Sequence, residues 1–140
     1  MIQDIEKRIE DIICETQGEI FKCANEMKLD MDIFVPKYMK SRFCEKNMDT
    51  IYSYYQMIDG EISLYYILQE IEVPILKEAK YNSVVMDWIG FIYRRIYYAA
   101  KKNSKEIIEK APFNAMLIYY PGLHTVDEDM AVDIIIEDKF

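Results

Sequence analysis

The sequence predicts an all-α fold, a single compact and irregular bundle of about six to eight helices over residues 1–140. Three observations carry this. Apolar residues recur at three- and four-residue spacings along most of the chain. Asn-x-x-Glu and Thr-x-x-Glu capping signatures recur along it. Only 4 glycines and 4 prolines are present, too few turn residues for a many-stranded sandwich or barrel. With 140 residues, 51% of them apolar, the chain has material for one domain with a real core.

Taken in order, Ile2, Ile5, Ile9, Ile12 and Ile13 mark the first helix, with charged residues between them. Thr16-Gln17-Gly18-Glu19 has the capping-box pattern, and Gly18 weakens helix continuity. A break near 16–18 is therefore expected before a second helix with Ile20, Phe21, Cys23, Ala24 and Met27; one long helix is the competing reading. Asp32 is the expected cap of the next helix, with Pro36 in its first turn and Val35, Tyr38, Met39, Phe43 and Cys44 on one face. Asn47 to Asp49 offers a further cap before Ile51, Tyr52 and Tyr55, and Asp59-Gly60 marks a turn. Ile62, Tyr65, Tyr66, Leu68 and Ile71 or Val73 follow, ending at Pro74, with 75–82 as a connector.

From Asn82 or Ser83, Val85, Trp88, Ile89, Ile92, Tyr93 and Ile96 hold helical spacing for about four turns. Asn103-Ser104-Lys105-Glu106 caps a short helix, Pro112 opens another, and Pro121-Gly122 is expected to stop it. Thr125-Val126-Asp127-Glu128 has the capping-box pattern for a terminal helix with Met130, Ala131, Ile134 and Ile135. The β-branched run 132–136 alone would suit a strand, but has no obvious partner.

Twenty-five acidic residues against 17 basic give a net charge of −8. That disfavours direct nucleic-acid binding, which needs Lys and Arg in excess. Charges interrupt the amino terminus, so no signal peptide is expected, and no window approaches a membrane span. Cys14, Cys23 and Cys44 lack CxxC spacing and read as reduced, mostly buried thiols, consistent with a cytoplasmic protein. His124 is the only histidine, so no His-pair metal site is available; Glu128 lies four residues on, but two ligands do not make a site. Neither a phosphate-binding glycine loop nor a Gly-x-Ser-x-Gly elbow occurs. No cofactor, metal site or catalytic residue is expected, and a non-enzymatic role is.

Tyrosine is the informative residue. Doublets stand at 54–55, 65–66, 97–98 and 119–120, and adjacent helical positions point about 100° apart, so one ring can pack inward while the other faces out. Such rings commonly fill boundary positions; they are also enriched in binding hot spots. On the helix after 83, Trp88, Ile89, Ile92 and Ile96 define one side and Asp87, Phe91, Arg94, Arg95 and Tyr98 the other. Phe91, Arg94, Arg95 and Tyr98 are thus the expected anchors for a partner, unless the helix is central and apolar nearly all round. Residues 127–138 carry six acids and no base. Asp127, Glu128 and Asp129 are the expected steering charges, or else a solvated helix face.

Phe34 to Gln56 (FVPKYMKSRFCEKNMDTIYSYYQ) and, within Trp88 to Asp138, WIGFIYRRIYY, SKEIIEKAPFNAM and YYPGLHTVDEDMAVDIIIED resemble a group of small, largely uncharacterised proteins of Firmicutes and their mobile elements. Some of these look like antitoxins or accessory partners of small toxin genes. The likeness covers about half the chain and supplies no site residue. It implies a protein that neutralises or regulates a protein partner by occlusion, antitoxin- or immunity-like. The alternatives are an anti-defence inhibitor that mimics nucleic acid and blocks a nucleic-acid-handling enzyme, and a small enzyme using His124. A homodimer is compatible with each.

Overall fold

A computed structural model describes residues 1–140. Seven α-helices follow one another: α1 (Ile2–Glu26), α2 (Met31–Met39), α3 (Gly60–Glu70), α4 (Ser83–Ala100), α5 (Ser104–Lys110), α6 (Phe113–Leu123) and α7 (Glu128–Lys139). A π-helical turn at Cys44–Met48 and a 3-10 turn at Tyr54–Gln56 lie between α2 and α3. The all-α bundle expected from the sequence is what the chain forms, and no helix is long and apolar enough to cross a membrane. The only β-type pairing is one bridge, Leu29 with Ile75, where the connector after α3 crosses the α1–α2 corner.

The core sits between α1 and α4, which pack along each other, with α2, α3, α5, α6 and α7 closing the sides. Phe21 from α1, Phe34 and Tyr38 from α2 and Tyr93 from α4 meet edge-on or stacked, with ring centroids 5.5–6.3 Å apart. Ile89, Ile92 and Ile96 are buried as the spacing predicts.

The expected break at 16–18 does not occur: α1 is continuous from Ile2 to Glu26. Gly18 serves contact rather than a turn. A Cβ there would lie 2.2 Å from the Asp87 carboxylate and 2.8 Å from its carbonyl oxygen, and a Cβ on Gly90 would lie 2.7 Å from the Gln17 carbonyl oxygen. The two glycines therefore mark the closest approach of α1 and α4, and the Gln17 side chain donates across it to the Gly90 carbonyl at 2.9 Å. Thr16, read as a cap, instead donates to the carbonyls of Ile12 and Gln56.

Other boundaries shift as well. Asp30, not Asp32, caps α2, and Pro36 lies inside it. Residues 51–58 form no full helix, because Gln56 folds back to accept from the Ser53 N–H and donate to the Met48 and Thr50 carbonyls. Helix α3 ends at Glu70, whose carboxylate accepts from the Arg42 and Phe43 N–H groups at 2.7 and 2.9 Å. The expected capping boxes diverge as well. The one at Asn103 forms in full, whereas α7 begins at Glu128 after Asp127, without a side-chain cap. Finally, α6 runs through Pro121 to Leu123 instead of stopping before it.

Gly90→Ala should destabilise the protein by about 1–3 kcal/mol, because backbone rather than a movable side chain blocks the new methyl. Gly122→Ala, with open space around it inside α6, should be neutral or stabilising by up to about 1 kcal/mol. Urea unfolding of both variants checks the pair; equal effects would contradict the helix-crossing account.

Candidate functional site

Two of the four residues expected to anchor a partner, Arg94 and Arg95, are not a free surface, which corrects that part of the sequence-based site. Arg94 is fully buried at 0% exposure, and Arg95 at 5%. The reason is that α4 is central: the side opposite its isoleucines is covered as well, by α1, the 44–49 turn and α7.

Arg94 is the hub of a buried polar node, and all three of its guanidinium nitrogens find acceptors. Nε and Nη2 donate to the Gln17 side-chain oxygen at 3.1 and 2.8 Å. Nη1 donates to the Asp49 carboxylate at 2.7 Å and to the Met48 carbonyl at 3.3 Å. Nη2 also reaches the Ser104 hydroxyl at 3.2 Å and the Cys44 sulfur at 3.4 Å. Tyr38 donates to Gln17, and Ser104 donates to Asp49 through both its N–H and its hydroxyl. Burial opposes the arginine's charge, but its acceptors, Asp49 among them, hold its pKa above the ordinary arginine range. Burial likewise raises the Tyr38 and Cys44 pKa values and pushes Cys14 up to about 12. Neither thiol is a thiolate near neutral pH, so neither is poised as a nucleophile.

Arg95 forms an ion pair with Asp11 of α1, lies 3.8 Å from Asp129, and stacks over the Phe91 ring at 5.4 Å. Phe91 and Tyr98 are half-buried. Of the expected steering acids, Asp129 is tied to Lys7 at 2.7 Å, and that hydrogen bond holds its carboxyl below the usual aspartate range. Asp127 and Glu128 are exposed without an ion-pair partner. The structure thus joins Arg95 to Asp129 and Phe91, but as internal contacts linking α4 to α1 and α7.

His124 is exposed, its ring stacked on Tyr120 at 4.4 Å and its Nδ1 at 2.8 Å from the Tyr120 carbonyl. No carboxylate accompanies it, and no group of three or more His, Cys, Asp or Glu side chains has metal-holding geometry.

The surface that gathers hot-spot residues lies elsewhere. Tyr54 and Tyr55 on the 3-10 turn meet Tyr65 and Tyr66 of α3 in one run of edge-on rings: Tyr54–Tyr55 at 5.5 Å, Tyr55–Tyr66 at 5.4 Å and Tyr65–Tyr66 at 5.3 Å. Phe43, buried, anchors the run at 5.1 Å from Tyr55. Tyr54 is 70% exposed and Tyr65 63%, with Met57 and Ile62 also exposed. Within this run Tyr55 turns inward against Phe43, and the other three rings stay exposed. The doublets were the signal in the sequence. That two of the four share a surface was not visible, because it depends on the turn after Met48 folding beside α3.

Comparison with family models, curated proteins and solved structures finds no match. The fold and its geometry define the class by themselves: a small acidic helical bundle with an arginine-centred core and an exposed tyrosine run.

Arg94→Met should cost about 3–5 kcal/mol in urea unfolding, since it leaves the Asp49 carboxylate and Gln17 without their donor. Adding Asp49→Leu should recover part of that loss, because removing both charges is far less costly than orphaning one. A loss below about 1 kcal/mol for the single variant would show that the node does not organise the core.

Proposed function

We propose that the chain is a non-enzymatic binding protein that regulates a protein partner by occlusion, docking it on the surface of Tyr54, Tyr65 and Tyr66. The observation that supports this is the run of four tyrosine rings in contact, three of them exposed, flanked by Met57 and Ile62. Tyrosine gives large, rigid contact area with few rotamers to freeze, and its hydroxyl remains able to hydrogen-bond at a wet rim. The ring contacts pre-order the surface, which reduces the entropy lost on binding. An antitoxin- or immunity-type role is the specific form that the sequence resemblance suggests.

A second reading keeps one supporting observation. Asp127, Glu128, Asp133 and Glu137 are exposed and unpaired on one terminal segment, a charge arrangement that could occupy a basic cleft. The partner would then be a nucleic-acid-handling enzyme.

Affinity capture from the native host, eluted in salt steps, separates the two. Under the docking proposal a stoichiometric protein survives high salt, and Tyr65→Ala with Tyr66→Ala weakens its binding at least about ten-fold, some 1.4 kcal/mol, with an unchanged thermal melt. Release at moderate salt, with loss on neutralising Asp127 and Glu128, favours the mimic. Full affinity in the tyrosine variant removes the docking face.

A further inference from the structure

Residues 2–8 of α1 are all exposed, so nearly two turns of this helix project past the bundle. Their apolar side chains are not scattered. Ile2, Ile5, Ile9 and Ile12 follow at spacings of three, four and three, which places them in one row. The next position of that row is Thr16, which is buried and donates to the Gln56 carbonyl, so the row ends there. A groove of about 330 Å³ joins Ile9 to Ile51 and Tyr52.

Ile2, Ile5, Ile12, Ile51 and Tyr52 are between 46% and 82% exposed. With Ile9 they present on the order of 600 Å² of surface, the upper end of the largest apolar patches on monomeric proteins. A helix end built on isoleucine also gains little from propensity, so its stability rests on covering that row.

We propose that the cover is a second copy of this chain, docked about a two-fold axis that sets the two α1 projections antiparallel. The row is its own complement. Positions 2 and 12, and positions 5 and 9, stand symmetrically about position 7. Reversing one helix therefore lays Ile2 against Ile12 of the second copy and Ile5 against its Ile9. A parallel pairing fails, because the Tyr54–Gln56 turn covers Thr16 on the same side of α1 as the row, and the two turns would collide. Reversed, each projection passes beside the turn of the other copy, towards Ile51 and Tyr52. Two such patches together remove about 1,200 Å² from water, the lower bound for a specific, stable interface.

Charge sets the strength of the pairing. On one flank the two-fold brings Asp4 beside Arg8 of the second copy. On the other it brings Glu6 beside the second copy's Glu6, a repulsion that salt relieves. The dimer is thus weak, with a dissociation constant on the order of 10 μM, and it tightens as salt rises. A contact built on unlike charges would do the opposite. The tyrosine docking surface takes no part.

Sedimentation velocity of the full chain from about 1 to about 500 μM tests this. The expected result is a passage from one chain mass to two, with a midpoint at least about two-fold lower at high salt than at low salt. Ile5→Asp, at an exposed position, should raise the midpoint at least about ten-fold with an unchanged melt of the dilute protein. Ile51→Asp, which lies off the helix, should raise it too, so that fraying of the projection is not the cause. Glu6→Gln should lower it. A chain still monomeric at the highest concentration, a dimer indifferent to both aspartate variants, or one that weakens with salt overturns the proposal. A dimer lost with Tyr65→Ala and Tyr66→Ala but kept with Ile5→Asp assigns self-association to the tyrosine surface and overturns it as well.

Discussion

A guanidinium carried into an apolar core sets the terms for the rest of this fold. Taking a charge out of water is costly, and the cost is recovered only where an opposite charge and well-placed acceptors surround it. Arg94 meets that condition by drawing on segments far apart in sequence: Gln17 from α1, Asp49 and the Met48 carbonyl from the turn after α2, and Ser104 from the start of α5. Tyr38 joins through Gln17. If any of these segments moved by a helical turn, a buried polar group would be left unpaired. The node thus selects one arrangement among the many that a set of greasy, short helices could otherwise adopt.

The same requirement explains the glycines at the α1–α4 crossing. Gln17 spans the gap to the Gly90 carbonyl while its oxygen faces Arg94, which holds only if the two backbones come close. Alanine at either glycine would push them apart. Gly60 repeats the device where α3 starts, since a Cβ there would lie 2.7 Å from the Ile20 nitrogen, and the Gly60 N–H donates to Glu19. Three of the four glycines in the chain are thus used where helices touch.

Much of this was legible in the sequence and some was not, for physical reasons. The periodic stretch from Ser83 and the Asn103 capping box are local signals, and both formed as read. Propensity treats Gly18 and Pro121 as breakers; at Gly18 the tertiary contact overrides the local cost, since packing on α4 keeps α1 continuous. Arg94 and Arg95 were misread for a related reason. An arginine pair opposite an isoleucine stripe has the pattern of a solvated face, and only the distant Asp49 and Asp11 reveal that it is not. No spacing rule connects positions 49 and 94.

What the internal pairing leaves over defines the surface available to other molecules. Arg94 and Arg95 are consumed within the fold, as are Asp11, Asp49 and Asp129, so neither arginine is free to anchor a partner. The aromatic residues divide in the same way. Phe21, Phe34, Tyr38 and Tyr93 fill the core, Phe91 and Tyr97 lie under arginines, and Tyr52, Tyr54, Tyr65 and Tyr66 remain outside. Scattered exposed hydrophobics need no explanation, but rings held in mutual contact at the surface are a different matter. They add order to a patch that contributes little to the core, and that combination is what a docking surface requires.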